Sequence, residues 1–361
     1  MRLLIAGGGT GGHLYPAIAV ARAWMRGGPE RRVLFVGTAR GIEARVLPRE
    51  GLPLETISAA GIIGHSIARK GWAAALMVRG IAESIGVIGR FQPHVVLGVG
   101  GYASAPAVTA AWLRRRPIVL MEQNVVPGMA NRLLARFAFK VAIALPGAAA
   151  HFPPGKIVDT GLPLRGEFTG GPPREASFWE GPLRVLVFGG SQGAHALNEA
   201  LAEALPLLGE DVRRMRFVHQ TGEADLERVR AAYAGAGVEA EAAAFFYDMA
   251  DRLRWAHMAV ARSGASTVAE LASLGVPAVL VPLPRAAHGH QEANARFLAE
   301  GGAARMILQR ELSGARLAAL LRELEADRDR LAEMSRRSRA LARQEASEAV
   351  VSLCMEAARA A

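Results

Sequence analysis

The sequence predicts an α/β fold with two parallel β-sheets, each covered by helices on both faces. Apolar, β-branched runs of strand length alternate with longer stretches of helical periodicity, which is typical of doubly wound sheets. The same order of strand, glycine-rich loop and helix also occurs twice, which indicates two domains. A length of 361 residues suits two domains, and a hydrophobic content of 51% supplies two cores and excludes a wholly disordered chain.

Eight apolar runs are predicted to be strands, and five stretches between them are predicted to be helices. The strand candidates are Leu3–Ala6, Val33–Val36, Val95–Val99, Ile118–Met121, Val185–Phe188, Arg216–His219, Met258–Ala261 and Ala278–Val281. The helix candidates are Pro16–Met25, Asn131–Phe137, Ala194–Leu205, Ser266–Leu274 and Gln291–Leu298, and the segment from Glu311 onward also favours helix. Because ligands bind beyond the carboxyl ends of strands in such sheets, the loops after the strands are the candidate sites.

The first repeat places a glycine-rich loop, Gly7–Gly12, between a strand and a helix. Glycine permits tight turns and the N–H groups at a helix start attract phosphate, so we expect a phosphate-binding loop. The glycine spacing matches the dinucleotide fingerprint, but that fingerprint requires an acidic residue where this chain has Gly37-Thr38-Ala39. This omission counts against NAD. A purely structural glycine turn is the alternative.

His13 follows this loop directly, and two interpretations of it are equally supported. A neutral imidazole at the mouth of a cleft could accept a proton from an attacking hydroxyl, which makes His13 a candidate general base. A histidine at a helix start can also serve only to hydrogen-bond the backbone.

The second repeat, Gly189–Gly193, adds the hydroxyl of Ser191 and the amide of Gln192 to the same loop pattern. We expect a second phosphate-binding loop here, and an ordinary strand–helix turn with Ser191 as the helix cap is the alternative. Two such loops that face one cleft favour the phosphate-binding interpretation.

The segment 166–182 is rich in glycine, proline and charge, as linkers are, and the two domains are predicted to join near residues 162–182. The predicted domains are 1–163 and 164–341, with a ligand cleft between them. The C-terminal helix, about 342–361, is expected to pack back on the first domain.

Further polar segments follow the later strands. Within Arg262–Glu270, Thr267 and Glu270 could form a capping box, or Glu270 could accept hydrogen bonds from a ribose diol. The acidic pair of Asp327-Arg328-Asp329 is better explained by a solvated helix face than by a metal site. The remaining candidates for ligand contacts are Gly100–Ser104, Met121–Asn124 and His290-Gln291.

The formal net charge of +10 indicates an anionic partner, unless codon bias toward arginine explains it. The chain has no helix-turn-helix, zinc-finger or RNA-binding signature, so we expect no nucleic-acid partner. Within Ile62–Phe91, apolar residues accompany four basic residues and one acidic residue, Glu83, a net charge of +3. This composition suits a surface that docks on an anionic membrane, and core packing of two helices explains most of the same residues.

Three observations bear on the compartment. A single cysteine, Cys354, fits a reducing cytosol. The longest stretch without charged residues, Phe91–Leu113, is interrupted by proline and glycine, so it does not predict a membrane-spanning helix. No signal-peptide pattern precedes the first strand candidate.

Together, these motifs resemble those of the MurG family, bacterial glycosyltransferases that move N-acetylglucosamine from its UDP carrier onto lipid I. The resemblance covers nearly the whole chain and depends on the order and spacing of six segments: Gly8–His13, Gly100–Tyr102, Glu122–Asn124, Gly161–Arg165, Gly189–Gly193 and Arg262–Ala265. It implies a GT-B fold and an inverting transfer to the C4 hydroxyl of the N-acetylmuramoyl unit, which makes lipid II. The implied partners are UDP-N-acetylglucosamine and lipid I, with no cofactor and no metal.

The resemblance also implies a place in the cell and a set of site residues. The chain would attach peripherally to the cytoplasmic face of an anionic cell membrane, through the first domain near Val78, Ile81 and Trp112. His13 would be the catalytic base and Asn124 would position the acceptor. The implied donor-binding residues are Thr10, Gly11, Gly12, Asn124, Arg165, Ser191, Gln192, Phe246, Ala265, Ser266, Thr267, Glu270 and Gln291. The implied acceptor-binding residues are Gly12, His13, Tyr102 and Asn124.

Among these residues, Ser191 and Gln192 would contact the diphosphate, the backbone of Phe246 would recognise uracil, and Glu270 would hold the ribose. Three other functions are compatible with the same general motifs. They are a related GT-B lipid glycosyltransferase, a UDP-N-acetylglucosamine 2-epimerase, and a membrane-bound scaffold without activity.

Overall fold

The computed structural model describes residues 1–59, 67–190, 193–284 and 289–360, with the backbone alone for 67–71. The chain divides into two compact units, one formed by Met1–Gly166 with Glu345–Ala361 and the other by Glu167–Gln344. The predicted boundaries, 163 and about 342, lie within a few residues of these divisions.

The first unit contains a seven-stranded parallel sheet. Its strands are β1 (Arg2–Ala6), β2 (Arg32–Gly37), β3 (Leu54–Thr56), β4 (Val95–Gly98), β5 (Ile118–Glu122), β6 (Lys140–Ile143) and β7 (Ile157–Asp159), in the order β3-β2-β1-β4-β5-β6-β7. Its helices are α1 (Gly11–Arg26), α2 (Glu43–Arg49), α3 (Ile67–Phe91), α4 (Ser104–Leu113) and α5 (Met129–Leu134). The described part of 62–91 is thus one helix rather than the two of the core-packing alternative.

The second unit contains a six-stranded parallel sheet. Its strands are β8 (Leu183–Phe188), β9 (Met215–Gln220), β10 (Ala240–Ala243), β11 (Met258–Ala261), β12 (Ala278–Leu280) and β13 (Ala304–Met306), in the order β10-β9-β8-β11-β12-β13. Its helices are α6 (His195–Leu208), α7 (Leu226–Gly235), α8 (Met249–Trp255), α9 (Ala265–Leu274), α10 (His290–Glu300), α11 (Gly314–Ala326) and α12 (Arg328–Ala340). The predicted fold class of two doubly wound parallel sheets is confirmed, and so is every strand and helix predicted above.

The last helix, α13 (Ala346–Arg359), packs on the first unit. Alternate residues of β1 point to opposite faces of the sheet, so Leu3 and Ile5 join one core while Leu4 joins the other. Cys354 of α13 lies in the core with Leu3 and Ile5, and burial raises the pKa of its thiol to about 12. The apolar face of α13 therefore completes one side of the first sheet.

Each sheet reverses its strand order once, and these points define where ligands are expected. In the first sheet the order reverses between β1 and β4, and in the second between β8 and β11. In doubly wound folds, the crevice at the carboxyl ends of such a strand pair is the usual ligand site. The two glycine-rich loops follow β1 and β8, so both lie at a reversal point.

Candidate functional site

The first glycine loop (Gly7–Gly12) packs backbone to backbone against the loop that follows β4. A Cβ at Gly7 (φ +144°) would lie 2.3 Å from the carbonyl oxygen of Gly100, and one at Gly101 (φ +81°) would lie 2.2 Å from that of Gly8. Only glycine tolerates both this backbone conformation and this proximity. Part of the glycine motif therefore has a structural cause, which the sequence left open.

The side chain of Glu43, the first residue of α2, supports the first glycine loop through hydrogen bonds. It is almost fully buried, and Gly9 N donates to its Oε2 at 2.8 Å. Thr38 donates to its Oε1 from both the backbone N, at 2.8 Å, and Oγ1, at 2.9 Å. The chain thus has an acidic residue, Glu43, a few residues after Gly37-Thr38-Ala39. Its carboxyl group hydrogen-bonds the glycine loop rather than a ligand. Sequence analysis did not select Glu43.

His13 lies in the first turn of α1 and is half-buried against the loop that follows β4. Its Nδ1 is 2.8 Å from Oγ1 of Thr10, and a Cβ at Gly100 would come within 3.0 Å of its Nε2. The hydroxyl of Thr10 therefore fixes the orientation of the imidazole, and Gly100 provides the space for the ring. Tyr102, in the same loop as Gly100, is 61% exposed.

Asn124 follows β5 and is held by a buried carboxyl group. Glu122 Oε1 accepts from Asn124 N at 3.0 Å, while its Oε2 accepts from Asn131 Nδ2 at 2.9 Å and from Gly128 N at 3.3 Å. Burial raises the pKa of Glu122 despite these hydrogen bonds, which oppose the shift. The Nδ2 of Asn131 would in turn lie 3.7 Å from a Cβ at Gly100. Asn131 therefore lies between Glu122, which holds Asn124, and Gly100, against which the ring of His13 packs.

Arg165 belongs to the first unit, although the predicted boundary assigned it to the second domain. Its guanidinium stacks 4.8 Å from the ring centroid of Tyr15 in α1. The guanidinium thus lies beside the helix that begins at the first glycine loop.

The second glycine loop (Gly189–Gly193) is described at its two ends, and the predicted residues Ser191 and Gln192 lie outside the described residues. Gly190 O accepts from Gln220 Nε2 at 2.8 Å, and Phe246 N donates to Gln220 Oε1 at 2.9 Å. Phe246 is buried, and the guanidinium of Arg252 lies 3.7 Å from its ring centroid. The backbone of Phe246 was predicted to recognise uracil, and its N–H is engaged by Gln220, a side chain that sequence analysis did not select.

Helix α9 begins at Ala265, with Gly264 as its N-cap and no side-chain hydrogen bond at the cap. The suggested capping box of Thr267 and Glu270 is therefore wrong, because Thr267 lies inside the first turn. Ser266 Oγ is buried and has no hydrogen-bond partner within the described chain. The first turn of α9 thus brings together Ala265, Ser266 and Thr267, with Glu270 one turn further on.

The starts of α9 and α10 are tied to each other. Ser263 Oγ donates to the backbone oxygen of Gln291 at 2.8 Å, and Gln291 Oε1 accepts from Leu283 N at 3.0 Å. Arg262 is buried and donates to Val281 O at 3.0 Å, so it supports the end of β12 rather than facing solvent. Gln291 and the α9 turn therefore belong to one site at the reversal point of the second sheet.

The structure also bears on the two interpretations of Asp327-Arg328-Asp329. Asp327 caps α12 by accepting from Arg330 N at 2.9 Å, which agrees with a helix-face role for Asp327-Arg328-Asp329. Among the described residues, no group of three or more His, Cys, Asp or Glu side chains is placed to hold a metal ion.

Comparison with known proteins identifies the family. Residues 3–143 match the model of the glycosyltransferase family 28 N-terminal domain, and residues 184–351 match that of the family 28 C-terminal domain. A UDP-N-acetylglucosamine–N-acetylmuramyl-(pentapeptide) pyrophosphoryl-undecaprenol N-acetylglucosamine transferase from Geobacter sulfurreducens is 46% identical over 97% of both chains.

Solved structures agree with this assignment. The crystal structure of Acinetobacter baumannii MurG has a TM-score of 0.81 at 34% identity, covering 98% of this chain and 99% of that one. A UDP-GlcNAc 2-epimerase from Neisseria meningitidis has a TM-score of 0.66 at 12% identity, covering 99% and 100%, a likeness that shows the fold alone. The fold is therefore GT-B, and this chain belongs to glycosyltransferase family 28 and, within it, to the MurG family of N-acetylglucosamine transferases.

Proposed function

We propose that this chain transfers N-acetylglucosamine from UDP-N-acetylglucosamine to the C4 hydroxyl of the N-acetylmuramoyl unit of lipid I. The observation that carries the proposal is the similarity over nearly the full length of the chain to a transferase of that name. Two glycine-rich loops at the reversal points of two parallel sheets support it, because the crevice at such a point is the usual ligand site of doubly wound folds.

The donor is proposed to bind the second unit. The second glycine loop would hold the diphosphate, with Ser191 and Gln192 as its polar groups. The first turn of α9 offers backbone N–H groups and the hydroxyl of Ser266, which has no partner in the described chain. Glu270 would accept hydrogen bonds from the ribose diol, and Gln291 would contact the sugar. Helix starts stabilise the negative charge that develops on departing UDP, so this chemistry needs no metal ligand set.

The acceptor is proposed to bind the first unit, with His13 as the general base. If Nδ1–H of His13 donates to Thr10 Oγ1, the lone pair of Nε2 is the one that accepts a proton from the attacking hydroxyl. Asn124, fixed through its backbone by Glu122, would orient the acceptor sugar, and Tyr102 would contact it. Attack from the face opposite the diphosphate inverts the configuration at the anomeric carbon.

A transfer assay tests this function. Purified protein is incubated with radiolabelled UDP-N-acetylglucosamine, with and without a lipid I analogue, and the products are separated by chromatography. We expect labelled disaccharide lipid only when the analogue is present. Conversion of the nucleotide sugar to its 2-epimer without acceptor would favour the epimerase, and no turnover in either case would favour a scaffold.

We also propose that the first unit docks on the cytoplasmic face of an anionic membrane. Helix α3 exposes Trp72 (61%) and Val78 (68%), and α4, which packs against α3, exposes Trp112 (47%). Ile81, the third predicted residue of this patch, is partly buried against the core. Exposed apolar side chains with neighbouring arginines, such as Arg79 at 71% side-chain exposure, suit an interfacial surface.

The packing of helix α3 also bears on the proposed manner of attachment. The described segment Trp72–Phe91 is long and apolar enough by composition to cross a membrane. However, Gly80 packs so closely that a Cβ there would lie 2.2 Å from Ser58 O, and Ser58 N donates to Glu83 Oε2 at 2.6 Å. One face of α3 is therefore fixed to the first unit, which supports docking of the opposite face over insertion of the whole helix.

Sedimentation with vesicles tests the docking surface. We expect binding to vesicles that contain phosphatidylglycerol and little binding to pure phosphatidylcholine, since the attraction is partly electrostatic. Val78→Glu should reduce the bound fraction severalfold. Leu207→Glu, which changes a 49% exposed leucine of the second unit, is the matched control and should bind as the unmodified chain does. Equal loss in both variants would contradict the proposed surface.

A further inference from the structure

We propose that Gln220 is a positioning residue that holds the diphosphate loop and the base-recognition backbone of the donor site in one arrangement. This inference rests on the proposed function, which places the donor on the second unit. Gln220 is the last residue of β9 and is 3% exposed. Its side-chain amide joins Gly190 of the second glycine loop to Phe246, two segments that are far apart in sequence.

The chemistry of these two partners suits an amide. Gly190 offers a carbonyl oxygen, which only accepts, and Phe246 offers a backbone N–H, which only donates. One side chain must therefore donate at one end and accept at the other, and the NH₂ group and carbonyl oxygen of a glutamine amide do so without charge. Both hydrogen bonds are short, at 2.8 and 2.9 Å, and the residue is shielded from water, so neither partner can readily exchange to solvent.

The surroundings of Gln220 are fixed by the strands and by its neighbour. Gln220 pairs with Phe188 at the end of β8 and with Ala243 at the end of β10, so its backbone lies at the centre of this part of the sheet. A Cβ at Gly193 would lie 1.9 Å from Thr221 O, which also accepts from Asn198 Nδ2 at 2.9 Å. The second glycine loop is thus held at Gly190 by Gln220 and at Gly193 by close packing against Thr221.

This arrangement predicts a specific consequence for donor recognition. Phe246 can present its backbone to uracil in one position only while its N–H direction is fixed by Gln220. The carbonyl of Gly190 accepts from Gln220 Nε2 at 2.8 Å and from Gly193 N at 3.1 Å, so Gln220 fixes the orientation of the loop at its described ends. Loss of the amide should therefore weaken nucleotide affinity and base discrimination together, while the rate at saturating donor stays close to normal.

Two variants of the full chain separate the two hydrogen bonds, with UDP and CDP affinities measured by calorimetry. Gln220→Met removes both bonds at similar volume, and we expect a tenfold or larger rise in the Kd for UDP and a reduced preference for UDP over CDP. Gln220→Glu keeps an acceptor for Phe246 N but cannot donate to Gly190 O. It should lose UDP affinity while it retains the preference for UDP over CDP.

Tyr233→Phe is the matched control for a merely structural effect. It removes a buried hydrogen bond of the same unit, the 3.2 Å contact between Tyr233 Oη and His219 Nδ1, without touching the loop. Its Tm should fall while its Kd for UDP stays unchanged. The inference is overturned if Gln220→Met binds UDP within twofold of the unmodified chain, or if Tyr233→Phe loses UDP affinity equally. Failure of the unmodified chain to bind UDP would instead refute the proposed function.

Discussion

The two glycine loops look alike in sequence, yet the side chains that support them differ in charge. The first loop rests on Glu43, a buried carboxylate whose three partners at Gly9 and Thr38 all donate. The second rests on Gln220, a neutral amide with one donating and one accepting partner. A carboxylate beneath a loop repels phosphate and occupies an N–H group, whereas an amide that binds a loop carbonyl does neither. This difference favours the second loop as the site of the donor diphosphate.

The histidine that follows each loop offers the largest test of this comparison. His13 contacts the hydroxyl of Thr10, whereas His195 contacts the carboxylate of Asp225, with Nδ1 and Oδ1 2.8 Å apart. We expect His13→Ala to lower kcat by about 10²–10⁴-fold, because a general base contributes an effect of that size. His195→Ala should change kcat only a few-fold.

Steady-state kinetics at saturating donor and acceptor measure both variants, and the Kd for UDP should be unchanged in His13→Ala. Comparable losses of kcat in the two variants would show that position after a glycine loop, rather than the chemistry of the site, determines the effect. The base would then have to be sought elsewhere in the first unit.

The two units should also respond to acid to different extents. In the second unit, burial lowers the pKa of His219 to about 3 and that of His257 to about 4, the latter with help from Arg184. The native unit therefore binds fewer protons than the unfolded chain below pH about 6.5, and its stability falls as the pH falls. In the first unit, burial raises the pKa of Glu122 but lowers that of His94, so the two groups change the stability in opposite directions as the pH falls.

Between pH 7 and pH 5 we expect the second unit to lose roughly 1–2 kcal/mol for each of these two histidines, while the first unit changes less. Urea unfolding followed by thiol labelling separates the units. Cys354 is the sole cysteine of the chain and is buried in the first unit. Cys354→Ala combined with Ala204→Cys reports on the second unit, since Ala204 is fully buried there. An equal loss of stability in the two reporters would refute this difference.

The comparison of predicted and observed strands shows what sequence patterning can detect. The eight predicted strands include every interior strand of the two sheets except β6, because long β-branched runs there are buried on both faces. Five strands were missed, and four of them, β3, β7, β10 and β13, are the edges of the two sheets. Edge strands here have three or four residues, and a sequence such as Leu54–Thr56 has too few apolar residues to show a period.

The candidate site divides in a similar way. Loop positions such as His13 and Asn124 were found because motifs mark them in sequence. The supporting residues Glu43 and Gln220 were not, because each contacts its loop across a distance in the chain that only the fold closes. Glu122 stood within a recognised motif, but its burial and its bonds to Asn131 and Gly128 depend on the register of β5 and α5. To predict such a supporting residue, one must know which donor or acceptor atoms of the loop it will face. The sequence does not show which atoms the fold brings together.

The smallest predicted effect tests whether Glu43 must accept hydrogen bonds with both of its oxygens to support the first glycine loop. Glu43→Gln keeps the shape of the side chain, but its NH₂ group must then face the N–H of Gly9 or the two donors of Thr38. One buried donor is left unpaired, which should cost about 1–3 kcal/mol of the stability of the first unit. Glu50→Gln is the matched control, since the Glu50 side chain is 41% exposed and pairs with Arg22 at the surface, where such pairs contribute about 0–1 kcal/mol. Urea unfolding with Cys354 labelling measures both variants, and an equal loss of stability would mean that Glu43 acts through charge rather than through its three donors.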